Sequence, residues 1–177
     1  MTKFFSRVAG ASLLNAATYE DVEADRSATS QAMVVVLLSS LAAGIGALGP
    51  VATRPTTLVT ISVLAFAVWA VWAVLTFEIG ARLLPSPRTQ ADVGQLLRTI
   101  GFASAPGILR VFGVFPGMTT PVFAVTSVWM LMAMIVGVRQ ALEYTSTGRA
   151  AVVCGISWLL SIGLAYVVGT LCAPVLY

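Results

Sequence analysis

Residues 96–117 read LLRTIGFASAPGILRVFGVFPG, and the rest of the chain is arranged around them. The stretch is long and apolar enough to enter a bilayer whose hydrocarbon core is about 30 Å thick. Yet it carries Arg98 and Arg110, a central Pro106, and the small residues Gly101, Ala103, Ser104, Ala105 and Gly107. Pro106 has no N–H to offer the carbonyl of Phe102, and its ring disfavours helical geometry at Ala105. A freed carbonyl in hydrocarbon is costly, so the kink at Phe102, Ala105, Pro106 and Gly107 must be buried in protein or face a polar cavity. Gly101-x-x-x-Ala105 and Ala103-x-x-x-Gly107 would let neighbouring helices approach there.

Four cleaner apolar spans frame this stretch. Ser27–Gly49 is the first, followed by a loop marked by Pro50, Arg54 and Pro55. Thr57–Leu84 is the second; its Trp69 and Trp72 lie in mid-span, which predicts packing or a lumen-facing role over interfacial anchoring. Pro85 and Pro87 stop it, and the polar connector 86–95 offers Thr89 and Asp92 to start the next helix. Thr119 and Thr120 cap the following span, Pro121–Leu142, whose Met130, Met132 and Met134 read as adaptable packing. The last span starts at Arg149 or Ala150, runs through Cys172 and ends at Pro174.

Composition agrees with lipid as the solvent. Of 177 residues, 58% are hydrophobic and only 10% charged, against about 25% charged in soluble domains. The net charge of +3 includes no basic run, so no nucleic-acid partner is expected. On one helix Cys154 and Cys172 would lie about 27 Å apart, which excludes a bond between them.

Before the first span, Thr2–Ser12 forms a short amphipathic helix, with Phe4, Phe5, Val8 and Ala11 on one side and Lys3, Ser6, Arg7 and Gly10 on the other. It suits either an interfacial anchor or a helix tucked against the bundle. Thr18 caps a short acidic helix bearing Glu20, Asp21, Glu23 and Asp25. These carboxylates suit a divalent cation or a basic partner, but a solvated acidic segment is the expectation. No apolar region follows Lys3 and Arg7 directly, as a cleavable signal would require.

The expected fold is therefore all-α: a polytopic five-span bundle with a kinked third helix, residues 28–177, preceded by a cytoplasmic amphipathic and acidic segment, residues 1–27. Five spans place eight of the ten basic residues on the N-terminal side and only Arg54 and Arg110 on the other. The positive-inside bias then sets the N-terminus in the cytoplasm and the C-terminus outside. A re-entrant third stretch would leave four spans and break this sorting for the later loops.

Charges at membrane depth are rare and are candidate functional residues: Glu78, Arg82, Arg98, Arg110, Arg139 and Glu143. Glu78 and Arg82 are one helical turn apart, as are Arg139 and Glu143, and interfacial pairing is the plain reading. The sharper reading joins Glu78, Arg98 and Arg139 in a buried cluster at the mouth of the broken stretch, gating a path or docking an anionic head group. Arg110 falls one turn beyond Pro106, where it can donate to carbonyls freed by the kink or reach the outer interface. The chain has no histidine, and its only lysine, Lys3, lies outside the bundle, so Ser104 and Cys154 have no base to activate them. No catalytic residue, metal site or cofactor is expected.

The run Leu97-Arg98-Thr99-Ile100-Gly101-Phe102-Ala103-Ser104-Ala105-Pro106-Gly107-Ile108-Leu109-Arg110 resembles the central signature of the Ypt-interacting protein (Yip) family. So do Phe115-Pro116-Gly117, Trp129, and Arg139-Gln140-Ala141-Leu142-Glu143. The opening, with 17–25 reading ATYEDVEAD, is similar to that family's prokaryotic branch. The resemblance implies a five-span membrane domain with a cytoplasmic N-terminus and no catalytic residue. Eukaryotic relatives are associated with Rab-type GTPases and vesicle traffic through a longer cytoplasmic N-terminal region, whereas the region before the first span here is only about Met1–Ser27. The expected function is a non-enzymatic scaffold or accessory subunit of the plasma (inner) membrane, binding lipids, other membrane proteins or itself. The alternative is a small transporter or channel using the kink and the intramembrane charges.

Overall fold

The computed structural model describes residues 2–48, 55–85 and 92–176, with no side-chain detail from 171 onward. The loop at Pro50 and Arg54, the connector residues Arg88 and Thr89, and the side chain of Cys172 lie outside the described residues. Everything regular among the described residues is helical. The elements are α1 (Thr2–Ser12), α2 (Ala16–Ala24), α3 (Ala28–Leu48), α4 (Pro55–Phe77) with a π-helical continuation (Glu78–Leu83), α5 (Val93–Ala103) with a 3-10 continuation (Ala105–Val114), α6 (Thr119–Ala141) and α7 (Thr147–Leu176).

Four helical segments are long and apolar enough to cross a membrane: Ala28–Ala47, Thr56–Leu83, Thr119–Ala141 and Thr147–Leu164. Their outward faces are apolar, as with Leu37 and Leu41 on α3 and Leu159 and Leu160 on α7, and they contact the lipid bilayer. The residues 96–117 do not form a fifth helix of that kind. Asp92 caps α5 by accepting the N–H of Gly94 at 2.9 Å, and the α-helix ends at Ala103. From Ala105 the chain continues as a ten-residue 3-10 helix, far longer than the usual run of about three or four residues.

Glycine explains that geometry. Gly101 packs on Ala32 of α3, Gly107 on Ser39, and Gly113 on the backbone of Gly46; on the other side Gly107 meets Met130 of α6. A Cβ at Gly46 would overlap the carbonyl of Arg110. A narrow 3-10 helix fits this slot. It also rises about 2.0 Å per residue against 1.5 Å for an α-helix, so few residues cover more depth. The contacts run from Ala32 to Gly46 on α3, about 21 Å, as the third stretch runs from Gly101 to Gly113. The two therefore travel in the same direction, while α6 runs antiparallel beside them, with Gly137 near Thr99 and Thr119 near Gly113.

Other local expectations are corrected. Asn15, not Thr18, caps α2, accepting from Ala17 N–H at 3.0 Å. Thr119 does not cap α6; its hydroxyl donates to Gly113 O at 2.8 Å, closing the end of the 3-10 segment. α7 runs through Pro174 to Leu176, since a proline in the last turn removes only one terminal bond. The π segment widens α4 so that Leu84 N–H reaches Ile79 O at 2.8 Å. Tyr144 then donates its hydroxyl to Gly80 O at 2.6 Å and lies 3.0 Å from Leu84 O.

Candidate functional site

Three polar regions hold the charged residues. The first lies where α1 and α2 dock on the bundle. Arg7 is only 4% exposed and pairs with Asp21 and Asp25, both at 2.8 Å. The pairing raises the Arg7 pKa, Asp21 contributing most against the cost of burial. Asp25 is drawn down to about 2 by hydrogen bonds from Ser27 and Arg7. Arg98, 5% exposed, reaches across from α5 and donates Nη2–H to Glu23 O at 2.6 Å. Trp129 donates Nε1–H to Ser12 O at 2.7 Å, and Gln140 bonds Glu20. Asp21 and Asp25 of the acidic segment are thus paired with the protein's own Arg7, while Glu20 and Asp21 stay exposed to solvent. α1 is tucked against the bundle through Arg7 and Ala11, while Phe5 and Leu13 remain exposed.

The second region is a groove at the same end, lined by Glu20, Glu23, Arg139, Gln140, Glu143 and Tyr144. Burial, reinforced by the charge of Glu143, pushes the Glu23 carboxyl up; Arg98 only partly offsets this. Glu143 sits at φ 48. Its N–H bonds Gln140 O and the next N–H, of Tyr144, bonds Arg139 O, both at 2.9 Å. This is the paired-bond ending in which a left-handed residue closes a helix, with glutamate in the position glycine usually fills. The helix stops at Ala141, so Glu143 leaves the face that carries Arg139. The expected Arg139–Glu143 ion pair is absent among the described residues. Glu78 and Arg82 do pair, at 2.9 Å, but on an exposed surface. No ion pair joins Glu78 to Arg98 or Arg139 among the described residues.

The third region is a cavity of about 160 Å³ inside the bundle. Ser39 and Ser40 of α3, Trp69 and Trp72 of α4, Ser104 and Arg110 of the third stretch, and Ser161 of α7 help line it. Arg110 donates Nη2–H to Ser127 Oγ at 2.9 Å and Nε–H to Thr126 Oγ1 at 3.3 Å, and its guanidinium lies 5.2 Å from the Phe123 ring centroid. Phe102, Ala103, Ser104, Ala105, Pro106 and Gly107 are all buried. Ser104 covers the end of α5, its hydroxyl donating to Gly101 O at 2.6 Å.

A family model for the Yip1 domain matches residues 12–168. The chain belongs to the Yip1 domain family. No curated protein and no solved structure matches it. In this Yip1 domain several of the residues that resembled the family signature hold the elements together. Arg98 and Trp129 pin α1 and α2, Gly101 and Gly107 admit α3, and Gln140 meets Glu20.

The sequence did not single out Arg7 or the serine-lined cavity of this Yip1 domain. Arg7 stands 14 and 18 residues from its partners, across two turns whose geometry no local pattern announces. The cavity did leave a signal: hydroxyls at mid-span in several different spans, at Ser39, Ser40, Ser104, Ser127 and Ser161. No group of three His, Cys, Asp or Glu side chains among the described residues is placed to hold a metal ion.

Proposed function

We propose that this Yip1-domain protein is a non-enzymatic scaffold or accessory subunit of the plasma (inner) membrane, binding membrane proteins, lipids or a second copy through the outward face of α7. In this reading residues 1–27 form a cytoplasmic segment and 28–177 a five-span bundle, with the N-terminus inside and the C-terminus outside. The same-direction register of the third stretch along α3 supports the fifth crossing.

The observation that carries the binding role is a contrast between glycines. Gly46, Gly101, Gly107 and Gly113 are filled by neighbours, whereas a Cβ at Gly155 or Gly163 would meet nothing within 4 Å. Both lie on α7, two helical turns apart, on the side where Leu159 is exposed. In a bilayer such small-residue faces are where helices approach one another.

Extraction from native membrane in mild detergent, with size and co-purifying proteins read by mass spectrometry, tests this. A stoichiometric partner or a homo-oligomer that is lost in Gly155→Leu/Gly163→Leu is the expected result. A protein whose size and associates are the same in wild type and variant would overturn it.

A second reading, a small transporter, draws support from the cavity that reaches Ser104. The transport path expected from the sequence would be lined by Arg98 or Glu78, whereas Arg110 is the charged residue on this cavity. Solute flux in proteoliposomes separates the two.

A further inference from the structure

We infer that the cavity beside Arg110 is a binding site for an anionic oxygen group, a phosphate or carboxylate. The inference goes beyond the scaffold reading and stands without it.

The first ground is uncompensated charge. All seven acidic residues are Glu20, Asp21, Glu23, Asp25, Glu78, Asp92 and Glu143. Glu20, Asp21, Glu23 and Asp25 belong to the α1–α2 end of the bundle. Glu78, Asp92 and Glu143 sit at or beyond helix ends on that same side, where α4 ends, α5 begins and α6 ends. Arg110 is at the other end, within the 3-10 segment, its carbonyl against Gly46 and its side chain on Thr126 of α6. Its partners are two hydroxyls and an aromatic face, all neutral, and no ion pair includes it among the described residues. Arginine is effectively always protonated, and a charge at membrane depth without a counter-charge is expensive.

The second ground is the character of the wall. Trp69 and Trp72 line the cavity and are 8% and 6% exposed. Both indole Nε1–H groups are buried and find no acceptor on the protein. Indole nitrogen only donates, and a buried donor left unpaired costs about 1–3 kcal/mol. Two such donors on residues that share this cavity with Arg110, with serine hydroxyls and no carboxylate in the lining, match a ligand that is all acceptor and negatively charged. A volume of about 160 Å³ is close to that of a cavity able to hold benzene, roughly 150 Å³. It admits one phosphate or carboxylate group, not a large solute.

The group can come from a free anion or from a lipid head group, and the test separates them. The full-length protein in detergent is titrated with inorganic phosphate against chloride at matched ionic strength, and separately with short-chain phosphatidylglycerol against phosphatidylcholine. Thermal unfolding midpoints give the affinities. Stabilisation by phosphate identifies a free-anion site, and stabilisation by phosphatidylglycerol alone identifies a head-group site. In either case Arg110→Gln is expected to bind at least tenfold more weakly. Trp69→Phe/Trp72→Phe keeps an aromatic ring at each position, removes the two N–H donors together with part of each indole's volume, and is also expected to bind at least tenfold more weakly. It decides the matter if Arg110→Gln does not fold. No stabilisation of the wild type beyond the chloride and phosphatidylcholine controls would overturn the assignment, as would unchanged affinity in the double variant.

Discussion

At the residue scale, the groove between α2 and the end of α6 contains two glutamates in unfavourable settings. Glu143 occupies a left-handed conformation at φ 48, which costs an L-residue about 1–2 kcal/mol. Glu143→Gly should therefore stabilise the fold by about 0.5–1 kcal/mol, read as a raised unfolding midpoint in detergent. An unchanged or lowered midpoint would mean that the carboxylate contributes more than its backbone strain costs. Glu23 gives a pH signature. Its folded-state pKa is raised by burial and by Glu143, so the folded protein holds that proton more tightly than the unfolded chain. Stability from this group is complete below the usual glutamate range and declines as pH rises through the raised value. Glu23→Gln keeps the backbone carbonyl that Arg98 uses and removes the titration. Its unfolding midpoint should draw ahead of wild type as pH rises across that interval, and match it in acid. A gap independent of pH would reassign the effect to packing. This scale was the least legible in the sequence. The four-residue spacing paired Arg82 with Glu78 correctly, but misread Arg139 and Glu143 because a helix ends between them. The Arg7 pairing with Asp21 and Asp25 depends on how two short helices fold back on each other.

At the element scale, the spans were legible because hydrocarbon thickness sets a minimum apolar length that chance rarely produces. α1, α3 and α6 begin and end within a residue or two of where the apolar runs put them. The third stretch was legible only as a break. Pro106 states that the α-helix cannot continue unaltered, but not that a long 3-10 helix replaces it. That outcome depends on tertiary fit, on the space that Gly46 and Gly107 leave between α3 and α6. Two glycine substitutions should therefore behave in opposite ways. Gly46→Ala puts a methyl group into the Arg110 carbonyl, a backbone atom that cannot turn aside, and should destabilise by about 1–3 kcal/mol or more. Gly155→Ala meets open space and should stabilise by up to about 1 kcal/mol through helix propensity alone. Chemical denaturation in mixed micelles checks both. Equal effects would mean that the close approach of α3 to the third stretch does not hold in solution.

At the scale of the whole molecule, the number of crossings fixes which loops share a side. With five crossings the loop before α6 lies outside and the loop between α6 and α7 lies in the cytoplasm. With a re-entrant third stretch the two exchange. The basic residues argue for the first arrangement, since it leaves only Arg54 and Arg110 toward the outer side. The register argues for it too: the third stretch follows α3 from Ala32 to Gly46 without turning back. Met118 is 45% exposed and immediately precedes α6, and Ser146 lies in the turn before α7. Single cysteines at these positions, in a chain carrying Cys154→Ala and Cys172→Ser, convert topology into a labelling pattern. In intact cells a membrane-impermeant maleimide should label Met118→Cys and spare Ser146→Cys until the membrane is opened. The reverse pattern would mean that α6 runs outward, and would place the C-terminus in the cytoplasm. The labelling pattern therefore fixes the direction in which α6 crosses, and with it the side on which each later loop lies.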